Sequence, residues 1–344
     1  MPLTLISLTS RESMANLIPA MELKPAKAYL LTTENFTKEA GYLKSVMEPK
    51  GVKTVIYDRN IDAYRPETIR HAIREIASNE KNNDLILNVT GGTKLMAIAA
   101  YEEFRAAGWP ILYCDTPNLR LLKVFPEESG SPLARPVSID DYMKSYGFTI
   151  SDEEERQYNP MIAVLMDWLL AGHFRDFSAG VDKFRKKVLQ NIPAGGIEQG
   201  PFLFQKQFDR YHVHIKSLKE TIPVESTFLH GKWLECLAYH YLKTRRQLPS
   251  KLGVKILQHG EIPNEIDALY MKNYQLHLVS CKTGRYEPKD LFELDTLRHL
   301  TGGTFGVGIV LMTGGPTEAF ARRAKELNLR MIWMTEPEDL EELP

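Results

Sequence analysis

Two acids and a lysine late in the chain have the types and spacing of a site that cuts phosphodiesters. In "NEIDALYMKNYQLHLVSCKTG", Glu265 and Asp267 lie two apart on one apolar run, and Ser280 and Lys282 lie two apart on the next. Side chains two apart on a strand share a face, and a hairpin turning near Lys272 and Asn273 brings the two pairs together. A carboxylate beside a strand-ending lysine suits metal-assisted hydrolysis. The acid holds Mg2+ or Mn2+ through hard oxygen ligands, while the lysine orients the attacking water and balances charge on the pentavalent transition state. Glu235, in "HGKWLECLAYHYL", is the lone carboxylate of an apolar helix. It is expected to face inward and, because burial of an unused acid is costly, to serve the same site. The competing reading is an ordinary hairpin with solvated charges on one face.

A second chemistry is written at "NVTGGTKLMAIAAY", Asn88 to Tyr101. An apolar strand, the loop "TGGTK" and a helix-forming segment make an anion-binding order: glycines admit backbone N–H groups to a phosphate, Thr90 and Thr93 add hydroxyls, and the helix N-terminus adds partial positive charge beside Lys94. The loop is not a P-loop, because Lys94 follows Thr93 and precedes Leu95, and it is not a GxGxxG dinucleotide fingerprint. It holds no general base, so it is expected to bind and not to cut. A tight turn whose glycines only serve strand-to-helix geometry is the alternative.

The elements that must position these residues alternate regularly. Strands are expected at Leu3–Leu8, "KAYLLTT", "VKTVIYD", Leu85–Val89, "PILYCD" and "LRLLKVF". Helices are expected after Thr9 or Ser10 as N-cap, over about Glu34 to Met47, from Pro66 to Ala77, and from Thr93 to Ala107. Strand and helix alternating four times predicts a parallel Rossmann-like sheet with helices on both faces, whose ligands bind at the carboxyl ends of the strands. The Thr9/Ser10 loop and "TGGTK" both lie there. "PEESGSPLARPVS" marks a boundary near 126 to 138, after which the chain reads as helical to about Asn191, with "DKFRKK" a solvated basic face and "IPAGGIEQGP" a flexible break. Beyond come an extended "RYHVHIK", the Glu235 helix from Phe228 to Thr244, the hairpin, a helix from Pro288 to Leu300, the strand "GVGIVLM", a helix from Thr317 to Leu327 and a last strand "RMIWMT".

The 344 residues suffice for about two domains. With 43 Lys+Arg against 44 Asp+Glu, no global field draws nucleic acid, so phosphate binding must be local. Cys114, Cys236 and Cys281 are odd in number and far apart, which argues for reduced thiols and against a disulfide framework or metal knuckle. The first residues, "MPLTLISLTSRE", have no basic region ahead of an apolar stretch, and no segment reaches a membrane-spanning length, so the chain is expected to be cytoplasmic and soluble.

A Rossmann-like first half whose fourth strand ends in "NVTGGTK" resembles the CRISPR-associated Rossmann fold (CARF) sensor domains of type III immunity. That resemblance implies a homodimer in which two such loops meet at a symmetry axis and share one cyclic oligoadenylate, the four-membered ring cyclic tetra-adenylate, a two-fold ligand on a two-fold dimer. Carried over by position, Thr90, Gly91, Gly92, Thr93 and Lys94 contact the ring, and Thr9 and Ser10 line it from the first loop. In the second half, a helix Glu, a hairpin Asp and then (D/E)xK resemble the PD-(D/E)xK nuclease fold, and "NEID" with "CKTG" is its wording in sensor-linked CRISPR ancillary nucleases. The resemblance covers essentially the whole chain. It implies an α/β protein with a CARF domain over 1–138, a helical connecting region over 139–222 and a nuclease domain over 223–344. The implied activity is cleavage of single-stranded DNA or RNA, with nicking of supercoiled DNA, on activation by the ring.

One departure stands out: where the motif has an acid two residues before the lysine, this chain has Ser280. Either the metal is held by Asp267, Glu235 and the Cys281 carbonyl, with Glu265 or a water completing the shell, or the catalytic acid has been lost. A neutral ligand weakens metal affinity, so a millimolar requirement with Mn2+ preferred is expected. A sensor with an inactive nuclease half and a ring nuclease that destroys its own ligand are the rival functions. A HEPN ribonuclease is disfavoured, because Arg210 and His214 are too close for its R-x4-6-H signature. His212 and His214 read as a polar edge strand lacking a third metal ligand. Lys243, Arg245 and Arg246 are either a nucleic-acid grip or a solvated helix end. Arg298 and His299 lie within reach of a substrate, and "TGGTFG" at 301–306 reads as a C-cap and turn.

Overall fold

Short β-branched and leucine-rich runs separated by helices give the first half the expected sheet. The computed structural model describes all residues except 152–157, 189–194, 209, 259–263, 285 and 304. Strands β1 (Leu3–Leu8), β2 (Lys27–Leu31), β3 (Lys53–Tyr57), β4 (Asp84–Asn88) and β5 (Ile111–Asp115) are parallel, and β6 (Arg120–Phe125) and β7 (Ser129–Pro132) add antiparallel edges, in the order β3-β2-β1-β4-β5-β6-β7. Helices α1 (Met14–Leu23) and α2 (Thr37–Met47) bury their apolar stripes on one face, and α3 (Pro66–Asn79) and α4 (Lys94–Ala107) on the other. Strand β1 pairs with both β2 and β4, so the order reverses between β1 and β4. A crevice opens at such a switch point, and both candidate ligand loops leave from it.

The α1 boundary differs from the expectation. Thr9 and Ser10 do not cap it: the Thr9 N–H continues the β1–β2 pairing to the Leu31 carbonyl at 2.9 Å, and the helix begins at Met14 after Ser13. The Ser13 hydroxyl does not cap either. It is buried and donates to the Ser145 carbonyl at 2.7 Å, tying the first sheet to α5 (Ile139–Ser145). The boundary passage also contains β7, an edge strand of exposed residues with no apolar pattern to betray it.

The region expected to be a helical connector is mixed. It holds α5, the strand β8 (Phe148–Ser151), α6 (Pro160–Trp168) and α7 (Phe174–Val188). These are followed by an antiparallel sheet of β9 (Ile197–Gln199), β10 (Phe202–Gln207), β11 (Arg210–Ile215) and β12 (Glu220–Val224), in the order β12-β11-β10-β9. The alternating Phe202, Phe204, Val213 and Ile215 bury one face of this sheet against α6 and α7, which is why "RYHVHIK" is an interior strand and not an edge. The end of the expected flexible break forms β9; residues 192–194 of that break lie outside the described residues. In the basic run after Asp182, Arg185 is half-buried and donates to the Thr283 carbonyl at 2.7 Å, so it is a tether and not part of a solvated face.

The last sheet runs β17 (Arg330–Trp333), β16 (Val307–Met312), β15 (Gln275–Lys282), β14 (Asn264–Lys272), β13 (Ser250–Gln258) and β8. β13 is absent from the expected elements although Leu252, Val254 and Ile256 alternate with Lys251, Gly253 and Lys255 at strand period. Helix α8 (Trp233–Thr244) covers one face, and α9 (Pro288–Gly302) with α10 (Glu318–Glu326) covers the other. The α9 face shares one continuous core with α1, α2 and α5, so sensor-like and nuclease-like halves are packed together through apolar contact. All three cysteines are free thiols. No helix among the described residues is long and apolar enough to cross a membrane.

His277 of β15 is buried, stacked 4.4 Å from the Tyr270 ring, and donates from Nδ1 to the Gln275 carbonyl. Burial pushes its pKa down to about 4. A histidine held neutral in the fold but free to protonate when unfolded stabilises the folded state fully above its unfolded pKa, and that contribution is lost as pH falls. Unfolding free energy is therefore expected to drop between about pH 6.5 and about pH 4. His277→Gln should flatten this limb in urea titrations at stepped pH.

Candidate active site

The hairpin of β14 and β15 brings the late acids and lysine together as expected. Asn273 and Tyr274 both take positive φ (52° and 63°), the two-residue turn that matches strand twist, and Lys272 pairs with Gln275. Paired register runs as far as Ala268 and Val279, and there the strands part. Side-chain alternation breaks at the same place: Ile266 packs on the α9 side and Ala268, two residues on, packs on the α8 side. Asp267 is left turned into the seam, where its Oδ2 accepts the Cys281 N–H at 2.6 Å. An extended residue sends its N–H and C=O to the same side, so the Cys281 carbonyl also faces this seam.

Glu265, Asp267, Ser280 and Lys282 line one cavity of about 200 Å³, together with Asp290 and Glu293 of α9. The Lys282 ammonium lies 3.4 Å from Asp290 Oδ1. Asp290 also accepts the Glu287 N–H at 2.8 Å as part of the helix capping box, so the helix end fixes the acid and the acid fixes the lysine. Glu235 is half-buried in the first turn of α8 and lines an adjoining cavity of about 380 Å³ with His230, Lys232 and Glu265. Glu265 thus joins the two cavities. Burial raises the Asp267 carboxyl above its ordinary range, against the Cys281 N–H and the Lys282 charge, and Glu265 adds to the rise. Burial, then the charges of Asp267 and Glu235, push the Cys281 thiol well up, so its sulfur is no thiolate ligand and only its backbone carbonyl suits a hard cation.

As donors, the carboxylates of Asp267, Glu235 and Glu265 and the Cys281 carbonyl fit Mg2+ or Mn2+. Among the described residues, however, no three His, Cys, Asp or Glu side chains already stand close enough to hold a metal ion. Ser280 is half-buried on the cavity wall, and Asp290 and Glu293 are acids that the strand motif does not include. Their signal in the sequence is a helix that starts with "EPKDLFE" directly after the lysine strand.

The other cations stand elsewhere. Lys243 donates to the Tyr239 hydroxyl at 2.6 Å, Arg245 lies 3.8 Å from Asp167, and Arg246 donates to the Leu343 carbonyl at 3.4 Å, so each of the three has a partner at this helix end. Arg298 is buried and paired with Asp295 at 2.6 Å, which withdraws it from a substrate, while His299 stays exposed and lies 3.2 Å from Asp295. His212 and His214 stack at 6.2 Å, with His214 bonded to Gln205 and Thr221. Gly303 caps α9 as expected for "TGGTFG", of which Thr304 lies outside the described residues.

At the switch point, the glycine loop is held by a polar network that sequence reasoning missed. Asn88, buried at the end of β4, donates to the Ala15 carbonyl (2.9 Å) and Asn16 Oδ1 (3.2 Å), and its Oδ1 accepts the Thr90 hydroxyl at 2.6 Å. The Thr90 oxygen accepts the Cys114 N–H at 2.7 Å. The Thr93 hydroxyl caps α4 by accepting the Met96 N–H at 3.3 Å and donates to the Ala63 carbonyl at 3.0 Å. Both hydroxyls are therefore committed to the fold. The glycines have a packing reason as well: a Cβ on Gly91 would lie 2.2 Å from the Leu8 carbonyl oxygen, and Gly92 has φ of 78°. Left facing the crevice are exposed Lys94 at the α4 N-terminus and Ser10, while Thr9 is buried with a hydroxyl that has no hydrogen-bond partner.

A family model of the Card1 CARF domain matches residues 4–142, and one of the Card1-like endonuclease domain matches residues 224–343. The chain belongs to the Card1-like family, a CARF domain joined to an endonuclease domain. The whole fold is shared with Can2 from Sulfobacillus thermosulfidooxidans, solved in complex with cyclic tetra-adenylate: 20% identity over 98% of this chain and 97% of that one, TM-score 0.77. Protein VC1899 from Vibrio cholerae is similar at 18% identity, over 99% of this chain and 96% of that one, with a TM-score of 0.78. A type III CRISPR defence DNA nuclease activated by cyclic oligoadenylate matches 99% of this chain over 52% of its own, at 15% identity and a TM-score of 0.61. No curated protein matches the chain in sequence.

A carboxylate kept ionised in this seam works against folding until a cation meets it. Asp267→Asn keeps an oxygen for the Cys281 N–H and removes the charge. Without divalent metal it should raise the melting midpoint by about 2 °C or more. Millimolar Mn2+ should raise the wild-type midpoint and leave that of the variant unmoved, as read by differential scanning fluorimetry.

Proposed function

We propose that the protein is a nuclease switched on by a cyclic oligoadenylate, cyclic tetra-adenylate above others, and that it cuts single-stranded DNA or RNA with a divalent metal. The observation that carries this is the seam: Asp267 held by the Cys281 amide, with Lys282 alongside and paired to Asp290. Residues 1–138 are the sensor, 139–222 a connecting region and 223–344 the nuclease. Asp267, Glu235 and the Cys281 carbonyl hold Mg2+ or Mn2+, with Glu265 completing the shell. Bound there, the metal supplies Lewis-acid stabilisation of the scissile phosphate and a more acidic water. Lys282 would orient the attacking water and balance charge developing on the phosphoryl oxygens, and Asp290 holds the ammonium in place. Ser280 offers only a neutral oxygen, so affinity for the metal is low and Mn2+ is preferred.

Because the acids do not stand assembled, activation must draw Glu235 and Glu265 in towards Asp267 and Cys281. The ring does this by binding better to the closed homodimer than to the open one. At the crevice, Lys94, Ser10, the unpartnered Thr9 hydroxyl and the backbone of Gly91 and Gly92 suit phosphate and ribose. Thr90 and Thr93 shape the loop. Leu95 and Ile98, exposed on α4 beside it, give two such loops an apolar surface on which to meet.

With Mn2+, labelled single-stranded DNA and RNA, and cyclic tetra-adenylate added or withheld, cleavage is expected only when the ring is present. Lys282→Ala should lower the rate by about a hundredfold or more. Cleavage surviving that substitution would remove this seam as the cutting site, no cleavage with the ring bound would leave a sensor with an inactive second half, and disappearance of the ring would make the protein a ring nuclease. Ser280→Glu should increase the rate and lower the metal concentration needed at half-maximum, and an unchanged metal titration would remove Ser280 as the cause of weak binding.

A further inference from the structure

The helix that leaves the ligand crevice is tied at both of its ends, to the helix that carries Asp290 and to the hairpin that carries Asp267 and Lys282. At the start of α1, the Glu12 carboxylate receives the Tyr146 hydroxyl at 3.4 Å and lies against Gly303, the C-cap of α9; a Cβ built on Gly303 would sit 2.5 Å from Glu12 Oε1. From that cap, α9 (Pro288–Gly302) runs back over roughly 20 Å to Asp290 in its first turn, which holds Lys282. At the end of α1, Glu22 Oε1 accepts the Ala134 N–H at 2.9 Å, the Arg135 N–H at 2.7 Å and the Tyr274 hydroxyl at 3.2 Å, and Tyr274 lies equally close, 3.1 Å, to the Arg135 carbonyl. Tyr274 is the turn of the hairpin whose open end, roughly 20 Å away along the strands, bears Asp267 and Lys282.

We infer that α1 is the coupling element of the protomer, transmitting occupancy of the crevice through Glu12 to α9 and through Glu22 and Tyr274 to the β14–β15 hairpin. This rests on the sensor-and-nuclease reading above and specifies its route. The geometry favours transmission over mere adhesion. Both ties join the near end of a stiff element to a helix rooted in the Thr9–Ser13 loop, and both stiff elements end on the same cavity. A displacement of α1 therefore moves the Asp290–Lys282 pair and the Asp267 seam together, whereas a tie to one of them alone would pull the lysine out of register with the acid. The shared core beneath, from α1 through α5 to Leu291, Leu294 and Leu297, is close-packed and passes small shifts on without absorbing them.

Tyr274→Phe removes the bridging hydroxyl and keeps the ring; Glu12→Gln removes the charge and keeps the shape. Neither residue is in the proposed catalytic or ring-binding set. The full-length protein, wild type and both single and double variants, is assayed for binding of fluorescent cyclic tetra-adenylate, for nuclease stimulation by the ring, and for ring-induced hydrogen-exchange changes in 264–282 and 288–302. In the double variant, stimulation is expected to fall by about tenfold or more, with the ring's Kd changed by less than about threefold and exchange changes confined to residues 1–138. Each single variant should show part of the loss. Wild-type stimulation and exchange in the double variant would overturn the route while leaving the functional reading intact. Loss of ring affinity in place of stimulation would overturn it too, by assigning these groups to the ligand site. A wild type that neither binds the ring nor responds to it overturns the functional reading, and the route with it.

Discussion

A carboxylate held in the parting seam of two strands is the constraint around which the second half is organised. Asp267 is drawn there by the Cys281 N–H and is held against its own preference, since burial and the neighbouring Glu265 favour the neutral acid. Nothing in a hairpin by itself demands an acid at that point. The strands must open where register ends at Ala268 and Val279, a helix must bring Asp290 to Lys282, and a second helix must bring Glu235 from the opposite face. The fold thus stores unfavourable electrostatics at one place.

The first half shows the reverse distribution. Its polar groups at the switch point are satisfied to a high degree: Asn88, Asn16, Thr90 and Thr93 bond one another, neighbouring carbonyls and neighbouring amides, and the glycines give Leu8 room. The loop is therefore preorganised, and beside it the buried Thr9 hydroxyl has no internal hydrogen-bond partner. A rigid binding loop above a site whose acids stand apart is a sensible division for a switch, because differential binding at the first can be spent on assembly at the second.

Between the halves lies an apolar core with few but directed polar ties. Ser13 to Ser145, Glu12 to Tyr146 and Glu22 to Tyr274 cross from the first sheet to α5 and the hairpin. The small antiparallel sheet of β9 to β12 contributes in another way, by supporting α7, from which Arg185 grips the carbonyl of Thr283 at the exit of the lysine strand. Connecting region and nuclease are consequently one packed unit.

The sequence by itself determined the alternation of the first half, the hairpin with its acid and lysine, and the glycine loop, because each is a local pattern: period, turn residues and spacing. Those patterns also carried the family resemblance, which the two domain matches bear out. The strands β7, β9 and β12 were illegible, being short, exposed or interrupted by Pro223, whereas β13 does carry period two at Leu252, Val254 and Ile256, and α1 started late because a strand hydrogen bond outcompeted the cap at Thr9. Tertiary structure alone decided that the Thr90 and Thr93 hydroxyls are internal, that Arg298 is a buried partner of Asp295, and that Asp290 serves Lys282. Each of these depends on which neighbours arrive from more than a few residues away, and a hydrogen bond is committed only when the whole chain has delivered its partner.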